Sequence, residues 1–390
     1  MPIVSRVAEL HPEIVAWRRD FHSNPELGFD VDRTWAIVAE RLREFGCDQV
    51  VTGIGKTGVV GVIKGRATVT NGNPKTIGLR ADMDALEIDE KTNLPYSSKN
   101  KGLMHACGHD GHTAMLLGAA KYLAETRNFA GTVVCIFQPA EEIGTGAKAM
   151  VGDQLMERFG IEEVYGMHCL PGLPVGFIGI HRGGVMAATD SIDIKIHGRS
   201  GHPGLAHLAI DSILVSAQLL MAIQQITSQN VSAMEAANIT FHNIQAGGIN
   251  RVITETVHLQ GAVRTLSTDV HDMIKARLQE VVSGVALATG AKIELKFEHD
   301  HGVLFNTAAQ TEIAEKTAAE IVGKEKVYPT PPTLLGEDFA IMSDARPGTF
   351  VFCGNGDSAG LHHPAFDFND EASLYGTSYW VKLVENRLAA

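Results

Sequence analysis

Residues 104–112 read MHACGHDGH, a stretch with one thiol, three imidazoles and one carboxylate. A run of small residues that predicts a helix follows at 113–120. Cys107 and His109 can therefore reach one metal ion, or two adjacent ions, from a single loop at the start of that helix. Thiolate and imidazole are the ligands that borderline-soft divalent ions prefer. The stretch predicts a metal-binding loop. The simpler alternative is a turn with a core cysteine and a few surface histidines.

Further polar side chains lie at the ends of the predicted buried strands. They are Asp82 and Asp84 after strand 76–80, Glu141 and Glu142 after strand 132–138, and His168 at the end of strand 163–168. Because ligands of an open α/β sheet bind at the carboxyl ends of its strands, we expect these side chains to lie close together. Taken singly, the glutamates would fit a solvated loop and the aspartates would fit helix or turn capping.

The adjacent residues Glu141 and Glu142 could take two different roles in metal-assisted hydrolysis. One carboxylate can bind metal while its neighbour takes a proton from water, whose pKa a metal lowers to roughly 7. The second carboxylate then carries the proton to the leaving nitrogen. The sequence has no Gly-x-Ser-x-Gly elbow, no Walker-type loop and no Cys-x-x-Cys pair of the kind that closes structural zinc sites. Cys107 as a nucleophile stays an alternative, although the sequence identifies no base or oxyanion donor for it.

The hydrophobic pattern predicts an α/β protein with an inserted middle block. Helices alternating with short buried strands indicate a doubly wound domain over 1–187, and 303–390 returns to that character. The block at 188–302 has the order β-α-β-β-α-β of the ferredoxin-like motif. The predicted elements include helices 4–23, 34–45, 112–126 and 145–158, strand 58–64 and a turn at 71–74, and in the middle block strands 190–197, 235–245, 255–265 and 291–299 with helices 205–228 and 268–288.

Composition narrows the possible partners and location. The net charge of -12 over 390 residues argues against nucleic acid and anionic membranes as partners. No run of 18 apolar residues predicts a membrane span. Five scattered cysteines do not resemble a disulfide framework, and the first residues do not resemble a signal peptide. We therefore expect a cytoplasmic protein that acts on a small molecule.

Motifs along almost the whole chain resemble the M20 metallopeptidase superfamily, in its aminoacylase, hippurate hydrolase and auxin-conjugate hydrolase branch. They are RRDFH at 18–22, PELG at 25–28, RADMDAL at 80–86, the stretch 105–112, QPAEE at 138–142, His168 with PG at 171–172, MAA at 186–188, SGH at 200–202, GEDF at 336–339 and LHHP at 361–364. The resemblance implies a dinuclear-metal catalytic α/β domain interrupted by a ferredoxin-like lid domain. The periodicity indicates the same organisation independently.

The resemblance also implies roles for particular residues of the metal centre. The ligands of two divalent ions (Zn, Mn, Ni or Co) fall on Cys107, His109, Glu142, His168 and His362. The general base falls on Glu141. His362 matches the ligand because it follows Leu361 two positions before Pro364, whereas His363 occupies a variable position. Asp82 matches a carboxylate that orients a ligand.

In the middle block, the resemblance implies contacts with the substrate. His202 matches a lid histidine that steadies the oxyanion and often comes from a partner subunit. Arg264 matches an arginine that can hold the substrate carboxylate, although a surface strand charge is an equal alternative. Relatives usually carry Asn-Val-Ile-Pro after the double glycine at 247–248, but this chain is one residue short there and lacks the proline. Either Asn250 or Arg251 is therefore expected to face the substrate.

The implied activity is hydrolysis of the amide bond of N-acyl amino acids, such as hippurate-like, N-acetyl or aryl-acyl compounds. A dipeptidase or carboxypeptidase of the same superfamily is the nearest alternative. A non-catalytic protein that binds acyl-amino acids is a further one. A homodimer through the lid domain is compatible with the resemblance.

Overall fold

The structure is a computed structural model that describes residues 3–68, 75–248 and 251–389. The predicted turn at 71–74 and the predicted substrate residue Asn250 lie outside the described residues. In chain order the helices and strands are α1 (Ser5–Ser23), α2 (Asp32–Glu44), β1 (Gln49–Ile54), β2 (Gly58–Lys64), β3 (Lys75–Asp82), α3 (His109–Thr126), β4 (Gly131–Gln138), α4 (Gly146–Gly152), α5 (Leu155–Arg158), β5 (Glu163–Pro171), β6 (Ile178–Ile180), β7 (Gly183–Met186), β8 (Ala188–His197), α6 (Ser212–Gln225), β9 (Ala237–Ala246), β10 (Thr256–Thr265), α7 (Thr268–Thr289), β11 (Lys292–His301), β12 (Leu304–Asn306), α8 (Ala308–Val322), β13 (Val327–Pro329), α9 (Phe339–Ala345), β14 (Gly348–Gly356) and α10 (Ala372–Arg387).

These elements form two compact units. The first comprises Met1–Gly183, Phe305–Pro331 and Asp338–Ala390, and the second comprises Gly184–Leu304 and Pro332–Glu337. The predicted middle block, 188–302, falls within the second unit. That unit also contains the short segment 332–337, which the hydrophobic pattern had assigned to the first domain.

The first unit is built on a mixed sheet with the strand order β1-β2-β4-β3-β5-β14-β6-β13. Its centre, β4-β3-β5-β14, is parallel, and β1 and β2 extend it as antiparallel strands. The carboxyl ends of the four central strands therefore meet at one edge. Asp82 ends β3 and Gln138 ends β4, so the sequence after each strand continues from that edge.

Helix α3 is the buried helix of this unit. It packs against α1, α10 and β3, and most of its residues are inaccessible to solvent. The small residues that follow the metal-like stretch make this close approach possible. A Cβ atom added at Gly118 would lie 2.5 Å from Cδ1 of Ile14 on α1. The run at 113–120 therefore serves helix packing and fixes the direction in which the preceding loop faces.

The second unit has the order β8-α6-β9-β10-α7-β11, which is the predicted β-α-β-β-α-β order. Its strands form an antiparallel sheet in the order β11-β8-β10-β9. The alternation in β8 places Ile192, Ile194 and Ile196 in a core with residues of α6 and α7. Within the described ranges, no helix of either unit is both long and apolar enough to cross a membrane.

Two predicted helices are wrong as continuous elements. The helix expected over 145–158 is α4 followed by α5, because Gln154 adopts a left-handed backbone conformation with φ 60°. The helix expected over 205–228 is a 3-10 turn at Pro203–Leu208 followed by α6 and a π-helical turn at Ile226–Asn230. Asp211 starts α6 because its side chain accepts hydrogen bonds from the first backbone N–H groups.

Candidate metal centre

The loop before α3 places Cys107 and His109 in the interior of the first unit. Gly108 lies between them with φ 86°, and an added Cβ would lie 2.5 Å from Sγ of Cys169. A side chain at this position would therefore meet both an unfavourable backbone conformation and a steric overlap. Cys107 and His109 are both buried. The glycine thus permits the turn that brings a thiol and an imidazole to the same place.

The five predicted metal ligands lie together in the first unit. Cys107, His109 and His168 have ligand atoms that all lie within 4.8 Å of one another, and the same holds for Cys107, Glu142 and His362. The Sγ atom of Cys107 lies 3.3 Å from Nε2 of His168. A carboxylate oxygen of Glu142 lies 3.4 Å from Nε2 of His362. Cys107 is common to both groups, so the five side chains form one continuous cluster.

Backbone carbonyls orient two of the imidazoles. Nδ1 of His109 lies 2.8 Å from the carbonyl oxygen of Asp84, and Nδ1 of His168 lies 2.7 Å from that of Cys169. Since a carbonyl oxygen only accepts hydrogen bonds, Nδ1 is the donor in each ring and Nε2 keeps its lone pair. Nε2 is the nitrogen that faces the cluster in both cases. This arrangement is the usual one for histidines that bind a metal.

The polar atoms of the cluster fit a divalent cation. Nε2 of His109 and Oε1 of Glu142 are buried without a hydrogen-bond partner among the described residues, and they lie 3.8 Å apart. Burial raises the pKa of the Cys107 thiol well above its usual range. Burial also raises the pKa of Glu142 to about 7, although His109 opposes this change. A divalent ion beside these groups would stabilise their anionic forms and satisfy both unpartnered atoms.

Asp82 is fully buried next to the cluster. Its Oδ1 atom lies 2.7 Å from Nδ1 of His112, and the backbone N–H of Cys169 donates to the other ring nitrogen of His112 at 2.9 Å. Both nitrogens of His112 are thus engaged. Oδ2 of Asp82 accepts from Arg80 at 2.8 Å and lies 3.6 Å from Nε2 of His109. Burial alone would raise the pKa of Asp82, but the nearby His109 and Arg80 hold it well below its ordinary value.

Asp84 supports the loop that carries the two glutamates. Its carboxylate accepts the backbone N–H of Glu141 on one oxygen, at 3.0 Å, and that of Glu142 on the other, at 3.1 Å. The loop turns sharply at Ala140, where φ is 57°. Oε2 of Glu141 then lies 3.9 Å from Nε2 of His109. The sequence predicted Asp84 near the two glutamates, with helix or turn capping as the alternative, but it did not show that the Asp84 carboxylate accepts the backbone N–H groups of their loop.

A buried polar network that sequence reasoning missed lies beneath the site. Arg80 donates to Gln138 at 2.9 Å and pairs with Asp338 at 3.2 Å, while Gln138 donates to Asp338 at 2.7 Å. Asp338 also accepts the N–H of Ala147 at the start of α4. The sequence analysis had already singled out the motifs to which these residues belong: Arg80 lies in RADMDAL, Gln138 in QPAEE and Asp338 in GEDF. Spacing along the chain did not show that the three side chains form hydrogen bonds with one another.

The remaining predicted site residues belong to the second unit. His202 is exposed, and its Nδ1 accepts the N–H of Gly204 at 3.1 Å. Arg264 is partly buried and donates to the carbonyl oxygen of Leu334 at 2.9 Å. Arg251 is exposed, with φ 52°. The roles of His202, Arg264 and Arg251 toward a substrate stay predictions.

Comparison with known proteins gives a consistent set of relatives. Residues 78–386 match the model of peptidase family M20/M25/M40. The chain is 37% identical over 385 residues to the hippurate hydrolase of Campylobacter jejuni, with 98% of each chain covered. It is 37% identical to the N-acetyl-L-cysteine deacetylase of Bacillus subtilis, over 98% of this chain and 89% of the relative. Among solved structures, the Bacillus subtilis YXEP protein, a dinuclear metal binding peptidase from the M20 family, is 33% identical with a TM-score of 0.85 and covers 98% and 99% of the two chains.

Proposed function

The chain belongs to peptidase family M20/M25/M40, and we propose that it is a metal-dependent amidohydrolase that cleaves N-acyl amino acids to a carboxylate and a free amino acid. The observation that carries this proposal is the cluster of five potential metal ligands beside Glu141, at the carboxyl edge of the sheet. The hippurate hydrolase and N-acetyl-L-cysteine deacetylase relatives support the substrate class, because both names describe removal of an acyl group from an amino acid.

Two divalent ions complete the proposed centre. Cys107, His109, Glu142, His168 and His362 would hold them, and Zn, Mn, Ni and Co are all compatible with thiolate, imidazole and carboxylate ligands. When bound, such ions polarise a carbonyl group and bring the pKa of a water molecule to roughly 7. The two ligand groups that share Cys107 support a pair of neighbouring ions.

Glu141 performs the proton transfers in this proposal. Its carboxylate takes a proton from the attacking water and delivers it to the amide nitrogen as the amine departs. Asp84 holds the backbone of Glu141 in place, so the carboxylate is positioned before a substrate binds. His202 stabilises the oxyanion that develops during attack. Arg264 binds the substrate carboxylate through its guanidinium group, with Asn250 or Arg251 as a further substrate contact.

The glutamate pair offers a direct test of this assignment. Glu141→Gln should retain the metal content of the unaltered enzyme and lose turnover, because a carboxamide cannot accept the proton. Glu142→Gln is the matched control and should lose metal as well as turnover. Metal content is measured by mass spectrometry and turnover by amine release. Normal turnover by Glu141→Gln would eliminate Glu141 as the base.

A substrate panel separates this function from its alternatives. Enzyme stripped by a chelator and reloaded with Mn, Zn, Co or Ni should release amine from benzoyl- and acetyl-amino acids and spare free dipeptides. The peptidase description of the YXEP structure makes dipeptide cleavage the main rival. Cleavage of dipeptides alone would replace the proposed activity with that of a peptidase. Stoichiometric binding of acyl-amino acids without cleavage under any metal would indicate a non-catalytic relative.

We also propose a homodimer formed through the second unit, which would act as the lid. Helix α6 exposes Ile213, Leu214 and Met221, and Met221 is 72% exposed. The adjacent sheet ends in the edge strand β9, which exposes Ile244. Apolar side chains beside an open strand edge are typical of surfaces that pair. Light scattering should give a dimer for the unaltered chain and a monomer for Met221→Asp.

We propose a cytoplasmic location, which suits the proposed role of Cys107. Metal binding requires its thiolate, and all five cysteines of the chain are free thiols in the structure. A reducing compartment preserves such thiols.

A further inference from the structure

A second cluster of potential metal ligands lies wholly within the second unit. Asp190, His271 and His299 have ligand atoms that all lie within 4.8 Å of one another. Oδ1 of Asp190 lies 3.0 Å from Nε2 of His271 and 2.6 Å from Nδ1 of His299. The two imidazole rings are 5.1 Å apart between centroids. One carboxylate oxygen thus faces two ring nitrogens.

The fold of this unit explains why these side chains meet. Asp190 on β8 and His299 on β11 are direct partners in the antiparallel register, so their side chains lie on the same face of the sheet. Helix α7 packs against β11, and His271 lies in its first turns. The cluster therefore joins two strands and one helix that are far apart in sequence.

The hydrogen bonds of Asp190 are incomplete. Asp190 is fully buried, and its Oδ2 atom has no hydrogen-bond partner among the residues that the structure describes. Leaving a buried charged oxygen without a partner costs free energy, whereas most buried polar groups in folded proteins are satisfied. This buried, unpartnered oxygen is the independent sign that the cluster accommodates a ligand.

His271 gives a second indication, because both of its nitrogens face carboxylates. Nε2 faces Asp190, and Nδ1 lies 2.9 Å from Oδ1 of Asp272. A neutral imidazole has only one N–H and can donate to only one of the two carboxylates. A metal ion at Nε2 resolves this conflict, since Nδ1 then donates to Asp272. Carboxylates that accept from the outer nitrogen of a metal-bound histidine are a common feature of metal sites.

We infer that Asp190, His271 and His299 form a binding site for a divalent first-row transition ion such as Zn, Co, Ni or Cu. Two imidazoles and one carboxylate suit these ions better than Ca or Mg, which prefer oxygen ligands only. The side chain of His299 is 48% exposed, so an ion can enter from solvent and water can occupy its remaining positions. The bound ion links β8, β11 and α7 and stabilises the second unit. This inference does not depend on the proposed amide hydrolysis.

The test counts bound metal on the full-length chain. Equilibrium dialysis against Zn²⁺ or Co²⁺ should give one equivalent fewer for His271→Ala/His299→Ala than for the unaltered chain. The same difference should persist when the centre of the first unit is disabled by Cys107→Ala/His109→Ala. His258→Ala is the matched control, because His258 lies 2.6 Å from Asp193 on the same sheet as a single His–Asp pair. That control should bind as much metal as its parent.

A second measurement uses the unsubstituted chain, so it does not depend on the folding of a variant. Zinc titration of ¹⁵N-histidine-labelled protein should shift the imidazole signals of His271 and His299 together and leave those of His258 in place. Equal metal content in the double variant and its parent would overturn the inference. So would imidazole signals of His271 and His299 that do not respond to zinc, which would leave the cluster held by its hydrogen bonds alone.

Discussion

Asp84→Asn is the substitution that best tests how the glutamate loop is held. Asp84 is buried, and its two oxygens accept the backbone N–H groups of Glu141 and Glu142 separately. An asparagine of the same shape keeps one acceptor but turns an NH₂ group toward the other N–H. One charge-assisted hydrogen bond is lost, which is worth about 1.5–3 kcal/mol. If that energy holds the glutamates in their catalytic position, kcat/KM should fall about 10- to 150-fold.

The assay is amine release from a benzoyl- or acetyl-amino acid at saturating metal. Metal affinity, measured by titration of the stripped enzyme, should also weaken because Glu142 is displaced. Asp211→Asn provides the control: Asp211 also accepts two backbone N–H groups, at the start of α6 in the second unit, but both on Oδ1, which an asparagine keeps. It should leave stability and metal affinity close to those of the unaltered enzyme. A kcat/KM of Asp84→Asn within threefold of the unaltered enzyme would refute the role assigned to Asp84.

Two further substitutions test the geometry of the loop at 107–109 and the ion pair between Glu163 and Arg387. Gly108→Ala places a Cβ 2.5 Å from Sγ of Cys169 at a residue with positive φ. It should therefore lower the free energy of unfolding, measured with denaturant, by at least about 1–3 kcal/mol. It should also abolish metal binding. Burial would raise the pKa of Glu163, but hydrogen bonds from Arg387 and other donors lower it to about 2 from 4.5. Because the folded-state pKa is the lower one, this stabilisation is present above pH 4.5 and is lost as pH falls toward 2. The difference in unfolding free energy between the unaltered chain and Glu163→Gln should shrink over that window, and a difference that does not vary with pH would contradict this account.

Part of the candidate metal centre could be predicted from the sequence because several of its residues lie at strand ends, whereas the assignment of His362 came only from the family resemblance. Asp82 ends β3 and Glu142 follows β4, and the parallel central strands bring their carboxyl ends to one edge. The β-α-β-β-α-β order of the second unit could also be predicted from the sequence, because strands such as β8 alternate apolar and polar residues with period two. The mixed α/β architecture followed from these patterns, whereas the family resemblance rested on the motifs along the chain.

What the sequence could not supply were the pairings between distant polar side chains. Asp84 was expected near the two glutamates, but the sequence did not show that its carboxylate accepts their backbone N–H groups, which lie 57 and 58 positions away. The Asp190 cluster was missed for a related reason. His271 and His299 are separated by most of a helix and strand, and no local motif marks them. The break between α4 and α5 escaped prediction because a left-handed residue other than glycine, Gln154, leaves no clear compositional signal.

The proposed metal centre depends on backbone conformation as much as on its ligands. The carbonyl of Asp84 orients His109 while the carboxylate of the same residue holds the glutamate loop, so the end of β3 positions groups from two other segments. The left-handed conformation of His362, with φ 60°, belongs to the same pattern, since ordinary side chains avoid that region. Substitutions that preserve ligand chemistry but alter these turns should therefore damage metal binding as severely as removal of a ligand. In a series of such variants, we expect the remaining activity to depend more on whether residues 107–109 and 140–142 keep their conformation than on how many metal-ligand atoms are retained.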